Sequence, residues 1–141
     1  AGASLDGRHP SAETGLHLAT YAMFPDVGAV LHTHSPTAVA LTRAFPARTN
    51  WQFAGHEMLK AIPGITTNQM QTTLPIVDNS QDMATIWNAV SPALGAVPAF
   101  LIRNHGLYGW GKDMVEAERV IEAIEWLIMA ELAEAQFRRT A

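Results

Sequence analysis

Apolar residues change their period several times along this chain, and each change marks an element. From Met114 to about Phe137, Val120, Ile121, Ile124, Leu127, Ile128 and Leu132 recur at three- and four-residue spacing. Glu116, Glu118, Arg119, Glu122 and Glu125 fill the other sides, which predicts a long helix with one buried face. Near the other end, Pro10-Ser11-Ala12-Glu13-Thr14 reads as a helix start, with Ser11 as the cap and Glu13 at the positive end of the dipole. Leu16, Ala19, Tyr21 and Met23 supply that helix with apolar positions, and Pro25-Asp26 ends it after about Phe24. The compact run from Gly28 to His34 predicts a strand, and Ser35-Pro36 opens a second helix through Leu41 to Ala44.

Trp51-Gln52-Phe53 reads as a short strand, and Gly55 to Ile62 as a short helix broken by Pro63-Gly64. Thr72 to Val77 is a further strand, in which Pro75 predicts an edge position or a bulge. Asp78-Asn79-Ser80 is a turn, followed by a helix from about Gln81 to Val90. Ala99 to Arg103 and Leu107 to Trp110 flank His105-Gly106 as two strands of a hairpin. Strands and helices mixed in this order, without repeats or linkers, predict an α/β or α+β layered domain.

Composition narrows the picture. The chain has 141 residues, 48% hydrophobic and 16% charged, enough for one compact domain with a substantial core. No apolar stretch reaches the ~18 residues that span a bilayer, and the first residues lack a secretion pattern, so a cytoplasmic location and no membrane partner are expected. With no cysteine, any metal must be held by histidine and carboxylate. A net charge of −4 argues against a nucleic-acid partner, whereas a small phosphorylated substrate needs only a few local cations, for which Arg8, Lys60, Arg103 and Lys112 are available. The start at Ala1-Gly2-Ala3-Ser4, without a methionine, reads as that of a processed or truncated chain.

The chemistry concentrates at His32-Thr33-His34. Residues two apart on a strand share a face, roughly 7 Å apart at Cα, so both imidazoles can close on one metal ion. His105, before a glycine at the end of another apolar run, offers a third ligand, leaving an open position for substrate. The plainer alternative for each is a hydrogen-bonded structural histidine. Glu13 and His17, four apart on one helix face, offer a second metal pair, for which a local hydrogen bond or solvent exposure is the simpler reading. Nothing in the spacing of His9 or His56 makes either a ligand.

Four segments appear together in a known order: Arg8-His9-Pro10-Ser11-Ala12-Glu13-Thr14, Ala29-Val30-Leu31-His32-Thr33-His34-Ser35, Gly55-His56-Glu57-Met58-Leu59-Lys60, and Leu101-Ile102-Arg103-Asn104-His105-Gly106-Leu107-Tyr108-Gly109-Trp110-Gly111. Over nearly the whole chain they resemble the class II aldolase and adducin family. The His-Glu-Met-x-Lys and Leu-Tyr-x-Trp-Gly elements are most similar to its methylthioribulose-1-phosphate dehydratase branch. The resemblance implies a layered αβα sandwich with a central, mainly antiparallel sheet. Residues 1–141 would form one catalytic domain lacking the N-terminal part of the family fold, including a Ser-Gly-Asn loop that binds phosphate.

It also implies one zinc ion per subunit on His32, His34 and His105, with Glu57 as general acid/base. Glu13, aligned with a carboxylate that both binds zinc and moves protons, becomes a catalytic residue acting as a fourth ligand or a substrate contact. We assign Ser11, Lys60 and Arg103 as candidate substrate contacts. The expected reaction is zinc-dependent dehydration of 5-methylthioribulose 1-phosphate in methionine salvage. The alternatives are a sugar-phosphate aldolase that breaks a carbon-carbon bond, or an adducin-like binding module without chemistry. The family further implies a homo-oligomer, a tetramer.

Overall fold

The structure, a computed structural model, describes residues 3–140. Its centre is a five-stranded mixed sheet built from β1 (Ala29–Thr33), β2 (Asn50–Phe53), β3 (Thr72–Val77), β4 (Ala99–Ile102) and β5 (Gly106–Gly111). The strand order is β1-β5-β4-β3-β2, and only the β3/β4 pair is parallel. Four α-helices cover it: α1 (Thr14–Met23), α2 (Pro36–Ala44), α3 (Met83–Val90) and α4 (Met114–Thr140). The chain therefore forms the expected αβα layers around a mainly antiparallel sheet.

Alternation along the strands divides the core between the two faces. Leu101 and Leu107 join Phe53, Leu59, Leu74, Ile124 and Leu127 beneath α2 and α4. Phe100, Ile102, Tyr108 and Trp110 join Leu16, Ile86 and Val90 beneath α1 and α3. Every residue of β4 and β5 is buried, so their sequence reads as a continuous apolar run rather than an alternating one. On α4, Val120, Ile121, Ile124, Leu127 and Ile128 are buried as expected, while Leu132 is exposed, since the helix has by then left the sheet.

Local expectations fail where tertiary contacts compete. Ser11 is not the cap of α1: that position is Glu13, which makes no capping bond because its carboxylate is drawn toward three histidines, and Ser11 Oγ instead accepts from Glu13 N at 3.2 Å. Tyr21 and Met23 point out of the core. The segment after Gly55 winds into a 3-10 turn, Glu57–Ala61, rather than an α-helix. Pro75 lies in an interior strand, neither at an edge nor in a bulge. Ile76 N donates toward β2, to Thr49 O at 2.8 Å, so the nitrogen of Pro75 faces the other way, where pairing with β4 begins only at Ile76; no ladder bond is lost. Among the described residues no helix is long and apolar enough to cross a membrane.

Candidate metal centre

The site is assembled at one end of the sheet from four separate stretches of chain. His32 is the penultimate residue of β1, opposite Tyr108 of β5, and the two rings stack with centroids 4.3 Å apart. Its Nδ1 donates to Leu107 O at 3.0 Å, which leaves Nε2 as the lone-pair nitrogen. His34 sits just beyond the strand, before the cap of α2. His105 is carried by the β4–β5 turn, where Asn104 takes a left-handed φ of 55°, a conformation asparagine tolerates well. Asn104 N donates to Thr42 Oγ1 at 3.0 Å, and His105 Nδ1 donates to Asn79 Oδ1 at 3.2 Å, again freeing Nε2.

Glu13 closes the set from α1. Its Oε2 accepts from the Tyr108 hydroxyl at 3.0 Å and lies 3.1 Å from His32 Nε2, while its Oε1 lies 2.9 Å from His105 Nε2. His34 Nε2 is 3.1 Å from His105 Nε2. One donor atom from each of Glu13, His32, His34 and His105 falls within 4.8 Å of the others. Only His34 is exposed; Glu13, His32 and His105 are largely shielded from solvent.

Electrostatics favour a neutral imidazole at His32. Burial pushes its pKa below the usual histidine value, against the opposing pull of the Glu13 charge and the Leu107 carbonyl, and the neighbouring His105 and His34 lower it further. Burial, and then the charge of Glu13, push the Tyr108 hydroxyl far above the ordinary tyrosine range, so it remains a donor. The His32 Nε2 atom is buried yet makes no hydrogen bond of acceptable geometry among the described residues, despite its nearness to the carboxylate. Leaving such an atom unsatisfied costs on the order of 1–3 kcal/mol. A cation resolves this, and three imidazoles with one carboxylate form a donor set suited to zinc.

The other expected site residues are not in this cluster. Glu57 is exposed, and its carboxylate pairs with Lys60 three residues on. Arg103 donates through Nε to Asp78 at 2.7 Å and through Nη2 to Arg48 O at 2.8 Å, and its Nη1 is buried without a partner among the described residues. Ser11 lies in the exposed turn before α1. Arg8 pairs with Asp6, and Lys112 with Glu116. His56 approaches Glu131 at 3.4 Å, and His9 is exposed. The proposed Glu13/His17 pair does not form: Glu13 turns to His32 and His105, and His17 stands edge-on to Tyr108.

Two residues that support the site escaped sequence reasoning. Tyr108 reads as a strand residue and Asn79 as a turn residue, and both readings are locally correct. A histidine ligand normally needs a partner for its second nitrogen, which signals that such residues exist without saying where.

Comparison with known proteins places these features in context. Residues 1–132 match the model of the Class II Aldolase and Adducin N-terminal domain. A methylthioribulose-1-phosphate dehydratase of Pseudomonas savastanoi pv. phaseolicola is 48% identical over 136 residues, covering 94% of this chain and 66% of the relative. One from Serratia proteamaculans is 43% identical over 129 residues, covering 89% of this chain and 63% of the relative. The chain thus spans about two thirds or slightly less of the length of the curated relatives it matches. Among solved structures, L-fuculose-1-phosphate aldolase from Thermus thermophilus superposes with a TM-score of 0.71 at 20% identity, over 100% of this chain and 71% of the aldolase, a likeness of fold.

Proposed function

The chain belongs to the class II aldolase and adducin family, and from that premise we propose that it is the metal-binding part of a methylthioribulose-1-phosphate dehydratase acting in methionine salvage. The observation that carries this reading is the convergence of Glu13, His32, His34 and His105 in a chain 48% identical to a protein of that name. We assign the metal as one zinc ion per chain, held by the three histidines with Glu13 as a fourth ligand. Bound there, zinc supplies Lewis-acid stabilisation of the negative charge that develops on the substrate's ketone oxygen, worth several kcal/mol.

The protein must then move protons. Dehydration removes the C3 proton of 5-methylthioribulose 1-phosphate and expels the C4 hydroxyl as water. The resulting enol ketonises to 2,3-diketo-5-methylthiopentyl 1-phosphate. Glu57 is our proton carrier for both transfers. Its own fold leaves it outside the cluster, so we assign it to the site of a neighbouring copy within a homo-oligomer, a tetramer by family resemblance. Lys60, already paired with it, would serve as a substrate contact beside it.

Arg103 lines a cavity of about 670 Å³ with Thr49, Asn79, Ser80 and Thr85. Because Asn79 also bonds to His105, this cavity borders the metal centre, and we assign the Arg103 guanidinium that lines it to the phosphate end of the substrate. Ser11 would be a further contact beside Glu13.

Incubation with methylthioribulose 1-phosphate should yield one product lighter by a single water. Two carbon fragments would instead identify an aldolase, and no turnover alongside full zinc content would favour a binding module. Alanine at His32, His34 or His105 should sharply lower metal content. Glu57→Gln should retain zinc and lose turnover about 100-fold or more, because an amide cannot exchange the proton. Glu13→Gln should instead weaken metal binding. Mixing His34→Ala with Glu57→Gln chains should restore part of the activity if Glu57 serves a neighbour's site; mixtures as inactive as their parents would place Glu57 elsewhere.

A further inference from the structure

Two of the three histidines are fixed through their rings, and the third is not. His32 and His105 each anchor Nδ1, on Leu107 O and on Asn79 Oδ1 respectively. Among the described residues His34 has no such anchor: its ring meets the rings of His32 and His105, no hydrogen bond fixes its Nδ1, and it lies outside β1 on an exposed turn. Its position therefore depends on how firmly its backbone is held.

That backbone is held from α4. Glu125 accepts from three hydroxyls of the turn that carries His34: Thr33 Oγ1 at 3.5 Å, Ser35 Oγ at 2.5 Å and Thr37 Oγ1 at 2.9 Å. Ser35 Oγ also accepts from Ala38 N at 3.2 Å as the cap of α2, so one hydroxyl ties the helix start to the carboxylate. Thr33 and Ser35 are the immediate neighbours of His34 in the chain. A carboxylate has about four acceptor positions, and three are used here on a single turn.

We propose that Glu125 is a positioning residue for the metal centre, clamping the turn so that the His34 ring is presented to the ion without a partner of its own. The inference rests on the metal-binding reading above and adds to it a residue about ninety positions from the ligand it controls. It also explains the run of hydroxyls at 33, 35 and 37, which the strand and cap readings leave unconnected. Outer-shell partners of metal ligands typically affect affinity by about 10- to 100-fold, and the same range is expected here.

Cobalt(II) titration of the metal-free protein is the test, because its visible absorption reports both affinity and ligand geometry. Glu125→Ala should weaken cobalt binding about 10- to 100-fold and change the spectrum toward that of His34→Ala, while Glu125→Gln, which keeps one acceptor oxygen, should fall between it and the parent. Ser35→Ala and Thr37→Val, each removing one strand of the clamp, provide milder versions should Glu125→Ala fail to fold. Ile65→Val, in the core on the sheet face away from Tyr108, controls for lost stability and should leave the cobalt constant unchanged. If the folded Glu125 and Ser35 variants bind cobalt as the parent does, whatever their melting temperatures, Glu125 is merely structural and the proposal falls. A parent protein that binds no cobalt would overturn the metal reading itself, a distinguishable result.

Discussion

Replacing Gly106 by alanine adds one methyl group and should disable both the fold's edge and the metal centre. The glycine opens β5 immediately after His105, where β1 passes so close that an added Cβ would lie 1.9 Å from Thr33 O and 3.1 Å from His32 Cε1. Real Cβ atoms essentially never approach within 3.0 Å of such a neighbour, so β1 must retreat by about 1 Å or more. The obstacle is backbone, which cannot rotate aside. Overpacking of this kind costs about 1–3 kcal/mol. The retreat also strains the 3.0 Å bond from His32 Nδ1 to Leu107 O, a loss of about 1 kcal/mol.

Together these predict a destabilisation of about 3 kcal/mol and, for a chain of this size, a fall in Tm of roughly 10 °C. Differential scanning calorimetry of the metal-free protein measures the first effect. Cobalt titration measures the second, expected to be a weakened and spectrally altered site because the His32 ring moves with its strand. Gly95→Ala is the matched control. No atom lies within 4 Å of its added Cβ, so it should be neutral or stabilise by up to about 1 kcal/mol. If Gly106→Ala melts with Gly95→Ala and binds cobalt normally, the close approach of β1 to β5 is not what holds His32 in place.

Tyr108→Phe removes the hydroxyl that donates to Glu13 and should destabilise the protein by about 1.5–3 kcal/mol, measured by denaturant titration. Because burial and then Glu13 raise the Tyr108 pKa, the folded parent and this variant should show the same ionisation at 295 nm up to about pH 11; an extra tyrosinate in the parent would contradict the buried hydrogen bond. His17 is held below its usual 6.5, first by burial, with the charge of Glu13 opposing. The unfolded chain therefore binds this proton more readily, so stability should fall as pH drops below about 6.5 and level off below the folded pKa. His17→Gln should make that part of the stability profile shallower, with His32, also held low by burial, supplying the remaining slope; an unchanged slope would show that His17 does not contribute.

Much of this arrangement is legible from short stretches of sequence. The three-and-four spacing of α4 states which side will be buried, because a helix's geometry repeats whatever its neighbours are. The spacing of His32 and His34 similarly places both rings on one side, and Ser35-Pro36 announces the start of α2, where Ser35 does accept from Ala38 N. The place of His105 before a glycine at the end of an apolar run offered the third ring, and the family motifs added Glu13. Each of these rests on relations among residues a few positions apart, or on a pattern already associated with a known fold.

Contacts between distant segments were settled only by the tertiary structure. Glu13 has the composition and position of a first-turn helix carboxylate, and only the docking of α1 against β5 turns it to Tyr108 and the histidines. Pro75 suggests an edge until strand order shows that its nitrogen faces an unpaired stretch of β4. Asn79 and Glu125 bond to residues 26 and about 90 positions away, with nothing in their own surroundings to mark them. The reason is physical: periodicity is imposed by the local backbone, whereas which carboxylate or amide meets which ligand depends on strand order, register and helix placement, and these emerge only when both faces of the sheet are buried at once.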